Sequence, residues 1–307
     1  MNRLLSITSL LFIASTLNAG NISSKKITVS TLNTVSHELV YAPGTGKKIS
    51  ELIWDAKGVK MLGFNVNYQK NENFYISFDY KTNIRERQSM MDDYDWLKDD
   101  RTEWSDWSNH PNTYLDKLTI LDLAFNAKLK PIATIESNLI FGYKVENKRF
   151  KAYDGSFIYS TENGFRDDRF TSYGLGITYQ ETFETIYTGI SLNKQYPNFR
   201  INSKLLLSPF VKASSKDNHH NRSFENSNHY SDTIMTSFDL GLEIDYSKDT
   251  SFEVSYAYID YSKTNGITTR RYYADSEGVP AGAVLKYGGS GISNSYSMLN
   301  MSIIYKY

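Results

Sequence analysis

Two short stretches hold most of the side chains in this 307-residue chain that could do chemistry together. The first runs from Asp92 to Asp106 and carries seven carboxylates against two bases, Lys98 and Arg101. In an extended chain residues two apart point the same way, so Asp93 and Asp95 share a face and their charges repel. One of the two should then hold a proton more readily than an ordinary aspartate. The second stretch is Ser214-Ser215-Lys216-Asp217-Asn218-His219-His220, where Asp217 and His219 are again two apart. A carboxylate beside an imidazole orients the ring and favours its charged form, as a general base requires. Each stretch also has a plainer reading. The acidic run suits a solvated or calcium-binding loop, and His219, His220 and His229 suit a wet loop or adventitious metal binding.

Other chemistries drop out. The chain has no cysteine, which removes disulfide scaffolds, thiolate metal sites and cysteine nucleophiles. Gly44-Thr45-Gly46-Lys47 is not a phosphate loop, because the earlier glycine that such a loop needs falls on Tyr41. Gly288-Gly289-Ser290-Gly291 runs into Ile292 and makes no nucleophile elbow. The 34 basic and 34 acidic side chains cancel, which argues against a nucleic-acid partner.

The elements that must position these groups are strands. Residues 1–19 read as a signal peptide, with Arg3, an apolar run from Leu4 to Ala14 and a small-residue end at Ala19. Residues 20–307 read as one domain. No window there approaches 18 uninterrupted apolar residues, so no helix is expected to span a membrane. Period-two alternation recurs instead. Leu62, Phe64, Val66 and Tyr68 interleave with Gly63, Asn65 and Asn67, and Phe238, Leu240, Leu242, Ile244 and Tyr246 follow the same rule. Phe74 to Tyr80 alternates likewise, and further strands are expected at 34–42, 117–129, 132–147, 172–193, 199–213, 252–262, 267–276 and 296–307. The final strand puts Leu299, Met301, Ile303, Tyr305 and Tyr307 on one face. With 24 Tyr and 16 Phe but a mean hydropathy of −0.47, the pattern predicts an all-β, ten-stranded antiparallel transmembrane β-barrel of the bacterial outer membrane, apolar outside and polar inside.

The order and spacing of several pieces resemble the omptin family of outer-membrane proteases. They are Met91-Asp92-Asp93-Tyr94-Asp95-Trp96, Asn109-His110-Pro111, Gly155-Ser156-Phe157-Ile158-Tyr159-Ser160, Gly164-Phe165-Arg166-Asp167-Asp168 and Asp217-Asn218-His219. The resemblance implies an endopeptidase with its site at the extracellular rim, an Asp93–Asp95 couple facing an Asp217–His219 dyad. His220 competes for the histidine role, but in an extended segment it points away from Asp217. Water attack, with no metal and no covalent intermediate, is the implied chemistry. The implied substrates are polypeptides with basic residues, Glu38 serving the pocket before the scissile bond and Asp106 the pocket after it. The family's second acidic residue in the first pocket falls here on Ser215, beside Lys216.

The resemblance also implies dependence on lipopolysaccharide, held by a Tyr-x-Glu-x-Arg pattern. This chain reads Tyr143-Lys144-Val145-Glu146-Asn147, keeping only the tyrosine, so Lys148 and Arg149 are the expected substitutes for phosphate contact. No other cofactor is implied, and the protein is expected to be a monomer. The rival reading is an adhesin or other surface-binding barrel with weak or lost proteolysis. A porin fits less well, because ten strands enclose too narrow an interior.

Overall fold

The computed structural model describes residues 22–42, 44–276 and 278–307, so the expected signal peptide lies outside the described residues. The chain forms β1 (Ile22–Tyr41), β2 (Lys48–Asn71), β3 (Phe74–Asn83), β4 (Arg87–Asp95), β5 (Asp106–Lys128) and β6 (Ile135–Tyr159). It continues through β7 (Asp168–Gln195), β8 (Phe199–His219), β9 (Phe224–Asp245), β10 (Thr250–Tyr272) and β11 (Val284–Lys306). Neighbours pair antiparallel, and β1 bonds to both β2 and β11, which closes the sheet into a ring without free edges.

The ring has ten positions rather than eleven. β3 pairs with the Met61–Asn71 part of β2 and β4 with its Ser50–Asp55 part, while both pair with β5 on their other side. They are two halves of one interrupted strand. Asn83 bridges the break: its amide donates to the carbonyls of Arg85 and Asp116, and its oxygen accepts from the Leu118 backbone N–H. Those bonds replace ladder contacts that the interruption removes.

Alternation explains how a hydrophilic composition covers a membrane wall. Ile27, Val29, Leu121, Leu123, Phe125, Leu139, Phe141, Leu205, Leu207, Leu240, Leu242, Val254, Leu299 and Met301 point outward and form an apolar band. Their neighbours face the lumen and bond to one another, as Thr28 does to Ser302 at 2.9 Å and Ser30 to Asn300 at 2.6 Å. The strands are far longer than this band requires. β1 has 20 residues and β7 has 28, whereas a tilted crossing takes about 9 to 11. The surplus lifts a second storey of barrel beyond the band at the end where β1, β4 and β8 finish.

That storey is where the expected strand limits fall short. The strand expected from 117 begins at Asp106, and the separate strands expected at 252–262 and 267–276 are one continuous β10. Outside lipid neither face needs to be apolar, so the alternation that marks a strand fades.

An aromatic layer closes the lumen below the mouth. Trp54 stacks on Tyr179 with ring centroids 5.1 Å apart and lies 5.4 Å from Phe150, and Phe183 stacks on Tyr261 at 4.3 Å. Within this layer Lys148 is fully buried and donates to Glu181 at 2.9 Å. This corrects the expectation for Lys148: adjacent residues on a strand face opposite ways, so only Arg149 reaches the outer wall.

Candidate active site

β4 carries Ser89, Met91, Asp93 and Asp95 on its inner face, and β8 carries Ala213, Ser215, Asp217 and His219. Three strands separate β4 from β8 one way round the ring and five the other way, so the two pairs look at each other across the mouth. Asp217, buried, contacts His219 through Oδ2 and Nε2. Behind it, Arg270 donates to the Asn226 oxygen at 2.8 Å, and the Asn226 amide donates to Asp217 at 3.4 Å. The His219 ring packs on Phe224, with centroids 4.6 Å apart, and Phe224 packs in turn on Tyr272. The ring is therefore fixed by a hydrogen-bonded chain on one side and aromatic faces on the other. His220 sits in a 3-10 turn, His220–Arg222, and bonds outward to Thr178 at 2.9 Å.

The couple is held as firmly. Ser50 donates to Asp93 at 3.0 Å. Burial pushes the Asp93 carboxyl well above the usual carboxylate range, and the charges of Asp95 and then Asp217 push the same way. Asp95 is raised to about 6, chiefly by burial, with Asp106 adding to the shift and Arg222 and His219 opposing it. The two pairs thus lie within electrostatic reach of each other.

Glu38 lies on the lumen face of β1 and is 3% exposed. Its Oε2 has no hydrogen-bond partner among the described residues, and neither has Oδ1 of Asn228. Burial raises its carboxyl well above the ordinary value, and Asp217, Asp93 and Glu181 add to the shift. Ser215, on β8, bonds to the Tyr230 hydroxyl at 3.0 Å and to the Asn228 amide at 3.0 Å. Ser215 stands where the resemblance implied a second acidic residue. Lys216 turns away from it toward Glu225 at 3.5 Å.

Asp106 begins β5 beside the couple. It is buried, and its oxygens accept from the Ser105 hydroxyl at 2.5 Å and the Ser160 backbone N–H at 3.0 Å. The second bond ties the start of β5 to the residue that follows β6, and the first holds the carboxylate to its own neighbour. Tyr143 is on the outer wall and donates to Glu184 at 3.2 Å. Further along that wall Arg149 pairs with Asp116, and Lys151 lies 3.4 Å from the same carboxylate.

Sequence reasoning missed Ser50, Asn226, Asn228, Tyr230 and Arg270. A signal for two of them exists: β8 and β9 join through a short turn, and counting back from it pairs Asp217 with Asn226 and Ser215 with Asn228. Ser50 and Arg270 come from strands whose register the sequence does not fix.

Known proteins resemble this chain along nearly its whole length. A family model described as the Omptin family matches residues 19–307. The plasminogen activator of Yersinia pestis is 26% identical over 293 residues, covering 94% of this chain and 91% of that protein. Protease 7 of Escherichia coli is 30% identical over 198 residues, which span 63% of this chain and 62% of that protein. Among solved structures, the outer membrane protease OmpT of Escherichia coli superposes with a TM-score of 0.87 at 24% identity, covering 94% of this chain and 98% of that one. That likeness establishes the barrel.

Proposed function

This chain belongs to the omptin family of outer-membrane proteases, and from the facing pairs in its mouth we propose an endopeptidase that cleaves polypeptides after basic residues. The observation that carries the reading is the pairing of Asp217–His219 on β8 with Asp93–Asp95 on β4, above a buried, unpartnered Glu38.

Asp217 engages Nε2 of His219, which leaves Nδ1 to take a proton from a water in the groove. Asp93 holds that water from the opposite wall as it attacks the peptide carbonyl. The shared proton that burial and mutual repulsion keep on Asp93 and Asp95 goes to the leaving amine. Each such transfer contributes about 10²- to 10⁴-fold. The pocket of Glu38, Ser215 and Asn228 holds two buried acceptors without donors, the environment that a lysine or arginine side chain satisfies.

The mouth faces the cell exterior in this reading. Outer-membrane barrels carry short turns on the periplasmic side and longer loops outside. Here the site end bears the connections 42–47, 96–105, 160–167, 220–223 and 273–283, three of them longer than any at the other end, which has 72–73, 129–134, 196–198 and 246–249. Lipopolysaccharide is the proposed activator. Arg149 and Lys151 on the outer wall supply the phosphate contacts, and Tyr143 lies lower, in the apolar band.

The test is refolded protein with added lipopolysaccharide and a peptide library read by mass spectrometry. Cleavage after Lys or Arg, abolished in both Asp93→Ala and His219→Ala, is the predicted result. A folded wild type that cleaves nothing would refute the reading and favour a surface-binding barrel.

A further inference from the structure

Two motifs that the catalytic reading leaves idle, Gly155 to Ser160 at the end of β6 and His110 on β5, meet on the inner wall of the mouth. A bulge at Asp154, whose φ is +53°, reverses the facing of β6, so that Gly155, Phe157 and Tyr159 look inward. Phe157 packs edge-on against buried His110, centroids 5.6 Å apart, and stacks on Phe170 of β7 at 4.7 Å. Tyr159 completes the group, 5.7 Å from Phe157 and 5.2 Å from Phe170. Gly155 is required here, because a Cβ would lie 2.8 Å from both the His110 and Phe157 rings.

The register fixes where this cluster lies relative to the chemistry. Asp93 pairs with Ser108, Ser108 with Phe157 and Phe157 with Phe170, which makes one row across β4, β5, β6 and β7. At about 4.8 Å per strand, Phe157 is about 10 Å and Phe170 about 14 Å from Asp93. The Tyr159 phenol faces the couple, whose charges add to the burial that raises its pKa. Phe170 is 43% exposed despite being apolar, so the cluster is open to the groove. Glu38, by contrast, belongs to β1, on the other arc of the ring. A chain laid between couple and dyad with its basic side chain toward Glu38 therefore runs out over β5 to β7 on the far side of the scissile bond.

We propose that Phe157, Tyr159 and Phe170 form a subsite for an apolar side chain three to four residues beyond the scissile bond, on the leaving-group side. It rests on the protease reading for its direction. The spacing follows from the distances: an extended peptide advances about 3.3 Å per residue, so about 10 to 14 Å is three to four residues. The substrates so defined combine a basic residue with an apolar one downstream, the pattern of cationic amphipathic segments.

The experiment uses full-length protein in lipopolysaccharide micelles and peptides with one Arg, carrying Leu or Ser at the second to fifth positions after it. Burying part of a leucine side chain should raise kcat/KM about tenfold at the third or fourth position. Phe170→Ala should reduce that preference to less than about twofold while leaving Ser peptides cleaved as before, and Phe170→Leu should keep it. Binding of the same peptides to His219→Ala protein, followed by fluorescence, needs no turnover and should show the same Leu preference. Cleavage and binding indifferent to Leu at every position overturn the subsite and leave the protease standing. Absent cleavage by wild type with Leu-selective binding overturns the protease and retains the subsite.

Discussion

Glu38→Gln separates binding from folding at one atom. The carboxyl is buried, one of its oxygens has no partner, and the nearby polar groups are Ser215, Asn228 and Tyr230. A hydrogen bond from a cationic side chain to that carboxylate contributes about 1.5 to 3 kcal/mol. At about 1.4 kcal/mol per decade, losing it should lower kcat/KM for peptides with Lys or Arg before the scissile bond about 10- to 150-fold. The loss should fall mainly on KM, because the contact exists in ground and transition states alike. Peptides with norleucine at that position should be unaffected. Stability should move the other way. A carboxyl whose folded pKa is raised opposes folding once ionised, a penalty absent below its unfolded value near 4.5 and growing as pH rises through the folded value. Glu38→Gln should therefore unfold at a higher temperature than wild type at pH 8 and at the same temperature at pH 4. Stopped peptide assays and thermal unfolding in micelles read both effects. Equal loss on basic and norleucine peptides, or a destabilised variant at pH 8, would refute the placement of Glu38 as an exposed-to-substrate, unpaired acid.

Asp95→Asn should shift the alkaline limb of the pH–rate profile to lower pH, because Asp93 loses the neighbouring charge that helps it keep a proton; an unmoved limb counts against the shared proton. Lys148→Met leaves Glu181 buried without its cation and should destabilise the barrel by about 3 to 5 kcal/mol in refolding titrations, and adding Glu181→Leu should restore most of that. Arg149→Ala with Lys151→Ala should weaken activation by lipopolysaccharide without changing the peptide preference, measured as activity against lipid concentration.

Where the wall meets lipid, the fold was legible, because outward residues such as Leu240, Leu242 and Ile244 must alternate with lumen residues. The break between β3 and β4 was not, since Asn83-Ile84-Arg85-Glu86 contains neither Gly nor Pro and the interruption is held by a side-chain amide. Facing was lost at bulges. Asp154 turns Phe157 and Tyr159 inward, a one-residue shift whose one mark in the sequence is the Asp154-Gly155 pair. The catalytic candidates were visible because Asp93–Asp95 and Asp217–His219 are each two apart on single strands, so strand geometry alone puts both members on one face. The partners of Asp106, Ser105 and the Ser160 backbone, were not visible in the sequence because they are set by loop closure. Lys148 was misjudged by treating it and Arg149 as one patch, although neighbours on a strand diverge.

The central claim is that the two pairs act on one water. Its most direct test is the kcat of Asp93→Ala, His219→Ala and the double variant on one Arg-containing peptide, with lipopolysaccharide present and folding checked by heat-modifiable mobility. Residues acting as a unit are strongly non-additive, so the double variant should be no slower than the slower single one. Losses that multiply would mean that the pairs work independently and would contradict the account.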